Sequence, residues 1–337
     1  MDPLTHGLTG AAAAQSLAGT EKQRPAAFTA FVSALLPDLE FFIHRAEDPL
    51  FNIEVHRQFT HSFVFIPVGA LITAALLLWL LSRYLTCREL FLFSVLGFAT
   101  HGFMDAVTSY GTELLWPFSD TRFAWNVLPV IDPLLTSGML GLSGAAFYFR
   151  SRLFGWLFFG WLLMFLTAGF IQRERGISAM EDVASRRGHP VEQLTVKPTI
   201  GNLILWRSTY ITGDTIYVDA VRSGFFSSPL IYPGNSAPLI HPERDFSRWK
   251  GTTLYDELLR FRRFSDGYLV RHPDKPGIIG DARYSMVPNS LKPLWGIRAD
   301  TTRPDRHVPF LHFRDAGAEV REEFVRQLTG SRDGMEK

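Results

Sequence analysis

The sequence predicts an all-α polytopic bundle of four to six membrane helices followed by a soluble α+β domain. Three observations predict it. Nearly all long charge-free runs fall before Ile171, and most of the charge falls after it. Residues 63–81 contain no charged side chain and are long enough to cross a bilayer. After Gln172, Pro, Gly, Asp and Arg become frequent, and short alternating runs appear at 202–206, 215–218 and 268–270, as half-buried strands require. The expected division is a membrane domain over 1–171 and an extramembrane domain over 172–337, and the 337-residue length accommodates two domains.

In chain order, residues 4–19 are rich in Ala and Gly, which suits close helix packing, and they end at the polar turn Glu21-Lys22-Gln23-Arg24. An apolar run over 26–36 meets Pro37-Asp38 and resumes as far as Ile43. Residues 44–60 are polar and read as irregular, and the 63–81 span follows. A short polar turn over 83–89 leads into residues 90–108, an apolar stretch that carries His101 and Asp105. A longer connection over 109–133 precedes an apolar hairpin, 134–149 and 153–171, with Arg150 and Arg152 at its tip. Residues 172–198 read as helix or linker, and 316–328 as a terminal amphipathic helix. The pattern gives four spans, with one or two shorter helices at the N-terminus.

Basic residues orient the bundle. Lys22/Arg24, Arg83/Arg88 and Arg150/Arg152 mark three turns, which an alternating path places on one side; the positive-inside rule makes that side cytoplasmic. The other side then receives His6, the 38–61 connection, the Asp105 end of its helix and everything after Ile171. The N-terminus lacks the basic region of a cleaved signal peptide. A net charge of +1 offers no footprint for nucleic acid. The single cysteine, Cys87, excludes an internal disulfide and a thiolate zinc site.

The chemistry concentrates in the first 110 residues, at His6, Asp38, Glu40, His56, Arg57, His61, His101 and Asp105. His101 and Asp105, four apart on a helix, lie on one face and make a natural two-point metal clamp; an ionisable pair at membrane depth is costly and so points to a functional site. Imidazole and carboxylate donors without thiolate describe a site for zinc or a neighbouring first-row ion such as manganese. His56 and His61, five apart, do not share a face of one ideal helix, so the ligand is one or the other. Arg57 and His61, at i and i+4, can share a face, which suggests an arginine aimed at a substrate oxyanion. The competing reading for Arg57 is interfacial snorkelling, and for Pro37-Asp38 a helix stop. The later histidines, His189, His241, His272, His307 and His312, are scattered through a polar region and read as solvated or structural; Asp305 and Asp315 lie near the last two in sequence.

The ordered series His6-Gly7, Leu35-Leu36-Pro37-Asp38-Leu39-Glu40, His56-Arg57-Gln58-Phe59-Thr60-His61-Ser62 and His101-Gly102-Phe103-Met104-Asp105-Ala106-Val107-Thr108, followed by Gly111 and Leu114-Leu115-Trp116-Pro117, resembles the bacterial membrane-bound metal-dependent hydrolases. The likeness covers roughly the first 120 residues. Glu40 stands where an aspartate is usual, and Gln58 where a glycine is usual. A more distant pattern is similar to the zinc-dependent phospholipase C and single-strand nuclease group, all-helical phosphoesterases. That likeness implies one ion held by Asp38, His56 or His61, His101 and Asp105, and a second to which His6 and Asp105 contribute.

The resemblance implies metal-assisted hydrolysis, with one or two divalent ions, an activated water, Asp38 or Glu40 as proton acceptor if not ligating, and Arg57 opposite the developing charge. It places the chain in the bacterial inner membrane. A site at the membrane surface suits an amphiphilic substrate, such as a phospholipid or a lipid-linked phosphate. The alternatives are a non-enzymatic membrane protein with a structural metal, a transport path or a partner-binding C-terminal domain, and an activity seated in 172–337 with the membrane part as its anchor.

Overall fold

The computed structural model describes residues 1–314 and 316–331. It divides into two compact units, Met1–Ile43 with Val55–Phe170, and His44–Glu54 with Ile171–Lys337.

The first unit is helical. Helix α1 (Pro3–Leu17) starts where the Asp2 side chain accepts the Thr5 N–H, with Pro3 at the first helical position, where a missing N–H costs nothing. Helix α2 (Gln23–Leu35) runs into a 3-10 turn over Leu36–Phe42, which delivers Asp38 and Glu40. After a short helix α3 (Phe51–Val55), all but its last residue in the second unit, and two 3-10 turns come α4 (Ile66–Leu81), α5 (Cys87–Ala106), α6 (Pro133–Phe149) and α7 (Arg152–Arg186), whose residues from Ile171 on belong to the second unit. Thr86 and Glu89 close a reciprocal capping box at the start of α5. Asp132 caps α6 by accepting the Leu134 and Leu135 N–H groups.

Small residues let these helices meet. A β-carbon on Gly97 of α5 would stand 2.1 Å from the Ala30 carbonyl oxygen of α2, and one on Gly102 would stand 2.5 Å from the His61 carbonyl oxygen. Only glycine permits either approach, and the second seats the His61 segment directly against the turn of α5 that carries His101.

Among the described residues, three helical stretches are long and apolar enough to cross a membrane, Gln23–Phe42, Phe63–Leu81 and Arg152–Arg186, fewer than the four to six expected from sequence. The difference has a physical cause. At 17 residues α6 reaches about 25 Å, short of the roughly 30 Å hydrocarbon core. Helix α5 spends its apolar run on His101 and Asp105, and α1 has 15 residues. Among the spanning stretches, Leu71, Leu76 and Trp79 of α4 are exposed, as a lipid-facing side requires.

The second unit holds two four-stranded antiparallel sheets, each a meander in chain order. The first comprises β1 (Gln193–Pro198), β2 (Leu205–Thr212), β3 (Thr215–Arg222) and β4 (Leu230–Pro238), with a bulge between Tyr217 and Asp219. Helices α8 (Pro242–Asp245) and α9 (Thr253–Phe264) follow, then β5 (Leu269–Arg271), β6 (Ile278–Asp281), β7 (Trp295–Arg298), β8 (Phe310–His312) and α10 (Ala318–Thr329). Leu254, Leu258 and Phe261 lie on one face of α9 and pack with Leu269, Ile279 and Ile297 of the second sheet.

Residues 44–54 read from sequence as a polar, irregular part of the membrane domain. Here they belong to the second unit: Leu50 and Ile53 are buried in the core of α9 and the second sheet. Arg260 of α9 fixes the segment with paired hydrogen bonds to Asp48 and Glu54.

Candidate metal centre

Four of the sequence-predicted residues meet at one point. Asp38, His61, His101 and Asp105 each offer one donor atom, and these atoms lie within 4.8 Å of one another. His101 and Asp105 are presented together by α5, one turn apart; Asp38 comes from the 3-10 turn after α2, and His61 from the 3-10 turn before α4. The separations are 2.9 Å for His61 Nε2 to His101 Nε2, 3.1 Å for His61 Nε2 to Asp105 Oδ2 and 3.5 Å for His101 Nε2 to Asp38 Oδ1. His101 Nε2 to Asp105 Oδ2 is 3.7 Å and His61 Nε2 to Asp38 Oδ1 is 3.9 Å. A tetrahedral ion with ligands at 2.0–2.1 Å places them about 3.3 Å apart, inside this range.

The outer partners fix the direction of the lone pairs. His101 Nδ1 donates to the Ala34 carbonyl oxygen at 2.6 Å, and His61 Nδ1 lies 3.2 Å from Glu40 Oε1 and 3.0 Å from Thr60 Oγ1. With both Nδ1 atoms carrying the proton, both Nε2 atoms present lone pairs, 2.9 Å apart in a buried site. Two lone pairs repel at that distance unless a proton or a metal ion lies between them. Asp105 Oδ2, fully buried and ion-paired with Arg57, faces the same point. The donor set therefore fits a divalent cation, with the carbonyl and carboxylate behind the imidazoles that metal-binding histidines ordinarily have.

Asp105 faces two ways. Its Oδ1 meets His6 Nε2 at 3.1 Å and the Met1 amino group. The His6 ring stacks on the His101 ring, with centroids 3.7 Å apart and 12° between the planes. His6 Nδ1 is buried and without a hydrogen bond among the described residues. His6 thus adjoins the four-donor cluster through the second oxygen of Asp105.

Three other predicted residues stand behind these donors. His56 is not among the four; its Nδ1 is 3.4 Å from Glu40 Oε1, and its ring sits edge-on to Tyr110 and His61. Of the two histidines left open by sequence, the structure brings His61 to the cluster. Glu40 is buried behind His61, where it also accepts the Arg57 N–H and the Thr60 hydroxyl. Arg57 is likewise buried. Its Nε lies 2.9 Å from Asp105 Oδ2, Nη1 donates to Thr108 Oγ1 at 3.0 Å, and the guanidinium stands 5.1 Å from the Tyr110 ring centre. Arg57 takes a left-handed conformation, φ 64°, which costs an L-residue roughly 1 kcal/mol and is tolerated where the surroundings hold it.

Thr60, Thr108, Tyr110 and the Ala34 carbonyl complete this shell without having been assigned a role from sequence. Thr60 and Thr108 lie inside the His56–Ser62 and His101–Thr108 motifs, so their placement beside ligands was the available signal. The later histidines do not cluster among the described residues. His189 pairs with Tyr210, His241 with Asp214, and His307 with Glu257 rather than Asp305. Asp315 lies outside the described residues.

The chain is 32% identical over 108 residues to the inner membrane protein YbcI of Escherichia coli (strain K12), covering 31% of this chain and 61% of that protein. It is 23% identical over 188 residues to the uncharacterized protein YfhP of Bacillus subtilis (strain 168), covering 56% of each. The matches thus span between half and two thirds of the length of these relatives. No solved structure matches the chain. Residues 1–176, which contain every donor described above, match the family described as YdjM inner membrane protein, and the chain belongs to that family.

Proposed function

We propose that this protein is a membrane-bound metal-dependent hydrolase acting on an ester or phosphoester of an amphiphilic or lipid-linked substrate. The observation that carries the reading is the pair of imidazole Nε2 atoms 2.9 Å apart beside the buried Asp105 carboxylate, which Arg57 holds from behind. In this proposal Asp38, His61, His101 and Asp105 hold one divalent ion, zinc first and manganese second, and His6 with Asp105 contributes to a second. When bound, such an ion polarises a phosphoryl or acyl oxygen and brings the pKa of water toward neutrality.

The protein's own groups supply the rest. Glu40 and the Ala34 carbonyl keep His61 and His101 turned inward. Arg57 neutralises Asp105 and holds its carboxylate in place, so its first service is to position a ligand; the substrate oxyanion comes second. Of the two carboxylates considered as proton acceptors, Glu40 is engaged behind His61, whereas the Asp38 side chain is 30% exposed and stands at the open rim of the cluster. That rim is where water and a scissile bond reach the site. We place the rim and the C-terminal unit on the non-cytoplasmic side, following the basic turns.

Metal analysis of the purified full-length protein tests the proposal, with assays on a chromogenic phosphodiester and an acyl ester in mixed micelles. The expectation is roughly one to two equivalents of zinc or manganese and hydrolysis that a chelator abolishes. His61→Ala should lose the ion and His56→Ala should keep it. Full metal occupancy with no hydrolysis of either bond class would leave a structural ion and overturn the enzyme reading.

A further inference from the structure

The first sheet of the second unit has two unlike ends. At one end the β2–β3 turn is Gly213-Asp214, where Asp214 pairs with His241 and Arg244. At the other end lie the β1–β2 connection, residues 199–204, and the β3–β4 loop, residues 223–229. These two loops carry exposed apolar tips: Ile200 is 62% exposed, Phe225 50%, and Phe226 entirely so. Apolar side chains held in water are unfavourable, and contiguous exposed apolar surface marks a contact.

The loops are tied to each other and to helix α7. The Ser223 N–H donates to the Ile204 carbonyl at 2.7 Å. Gln172 donates through Nε2 to the Ser223 and Leu203 carbonyls, one from each loop. Arg175 donates through Nη1 to the Gly224 carbonyl at 2.7 Å and the Phe225 carbonyl at 3.3 Å, and through Nη2 to the Ser227 carbonyl. The backbone of the aromatic loop is thus clamped on a single guanidinium.

The position of that clamp along α7 identifies the partner. From Arg152 to Ile171 the helix covers about 30 Å at 1.5 Å per residue, the thickness of the hydrocarbon core. Leu153, Trp156, Leu163, Met164, Phe170 and Ile171 are exposed along this stretch, as lipid-facing residues would be. Gln172 and Arg175 lie within about one turn after it, at the headgroup level. The loops they hold are thus tied to the turn of α7 that directly follows its apolar stretch.

We propose that Phe225 and Phe226, with Ile200 of the adjoining loop, insert into the interfacial region of the membrane that α7 spans, and that this sheet end is a lipid-docking surface. Neighbouring polar backbone is satisfied by Gln172 and Arg175, so the aromatic rings enter without stranding carbonyls in a dry region.

The test uses the full chain with Cys87→Ser as background. Phe226→Cys and, as the control at the opposite sheet end, Gly213→Cys are each coupled to an environment-sensitive fluorophore. Both are reconstituted in phospholipid nanodiscs, with and without acyl-chain nitroxide lipid. The expected result is blue-shifted emission at 226 with several-fold quenching by nitroxide lipid, while the label at 213 responds only to aqueous iodide. Ile200→Cys should follow 226. Iodide quenching at 226 equal to that at 213 would overturn the proposal. So would a label at 226 shielded from iodide yet untouched by nitroxide lipid, since that result would assign the surface to a protein partner or a second copy.

Discussion

Glu40→Gln isolates the outer support of the cluster from its ligands. Glu40 Oε1 lies 3.2 Å from His61 Nδ1 and 3.4 Å from His56 Nδ1, while the carboxylate also accepts the Arg57 N–H and the Thr60 hydroxyl. Glutamine keeps the shape but turns one acceptor into a donor, and it removes the charge that makes the His61 imidazole more basic. Loss of such a carboxylate behind a metal-bound histidine weakens metal affinity by about 10- to 100-fold, or roughly 1.4–2.7 kcal/mol. The Asp105–Arg57 pair is untouched, so the fold should survive. Competition against a chromophoric chelator, with metal analysis on the same sample, reads the affinity directly. Unchanged affinity would refute the argument that Glu40 orients His61. A complete loss equal to that of His61→Ala would make Glu40 a ligand itself.

Two further outcomes concern the segment 44–54. Leu50 is fully buried in the core of α9 and the second sheet, so Leu50→Ala should destabilise the second unit by about 2–5 kcal/mol, read as a lower denaturant midpoint for its unfolding. Burial alone would raise the Asp48 carboxyl, but hydrogen bonds and charge from Arg260 outweigh it and hold the group below its ordinary value of 3.8. A carboxylate depressed in the folded state contributes stability above its unfolded pKa, and that contribution is lost as pH falls through the folded one. The protection of amides across 44–54, corrected for the intrinsic exchange rate at each pH, should therefore be high at pH about 6 and fall below pH about 4. Arg260→Ala should remove that dependence, and a transition unchanged by the variant would refute the assignment.

How much the sequence disclosed depended on how local each relation was. His101 and Asp105 were legible because four residues along a helix place two side chains together without help from the rest of the chain. The choice between His56 and His61 was not, because the backbone between them reverses at Arg57, whose left-handed conformation no helical spacing anticipates. Glu40 and Asp38 look alike in sequence; only the packing of the 3-10 turn puts one at the rim and the other behind His61. The number of spans was overestimated because apolar composition was legible and length was not: α6 is apolar enough but too short. Leu50 and Ile53 gave too brief an apolar signal to show that residues 44–54 join α9, since that relation rests on Arg260, more than two hundred residues away.

Asp105 gives the site a built-in linkage. One carboxylate serves His61 and His101 through one oxygen and His6 through the other. In the proposed two-ion arrangement, charge drawn toward one oxygen is withdrawn from its neighbour, so occupancy on either side would alter affinity on the other, and by an equal factor in both directions. A titration of the wild-type protein with metal should therefore depart from two independent isotherms, and His6→Ala should restore a single simple one.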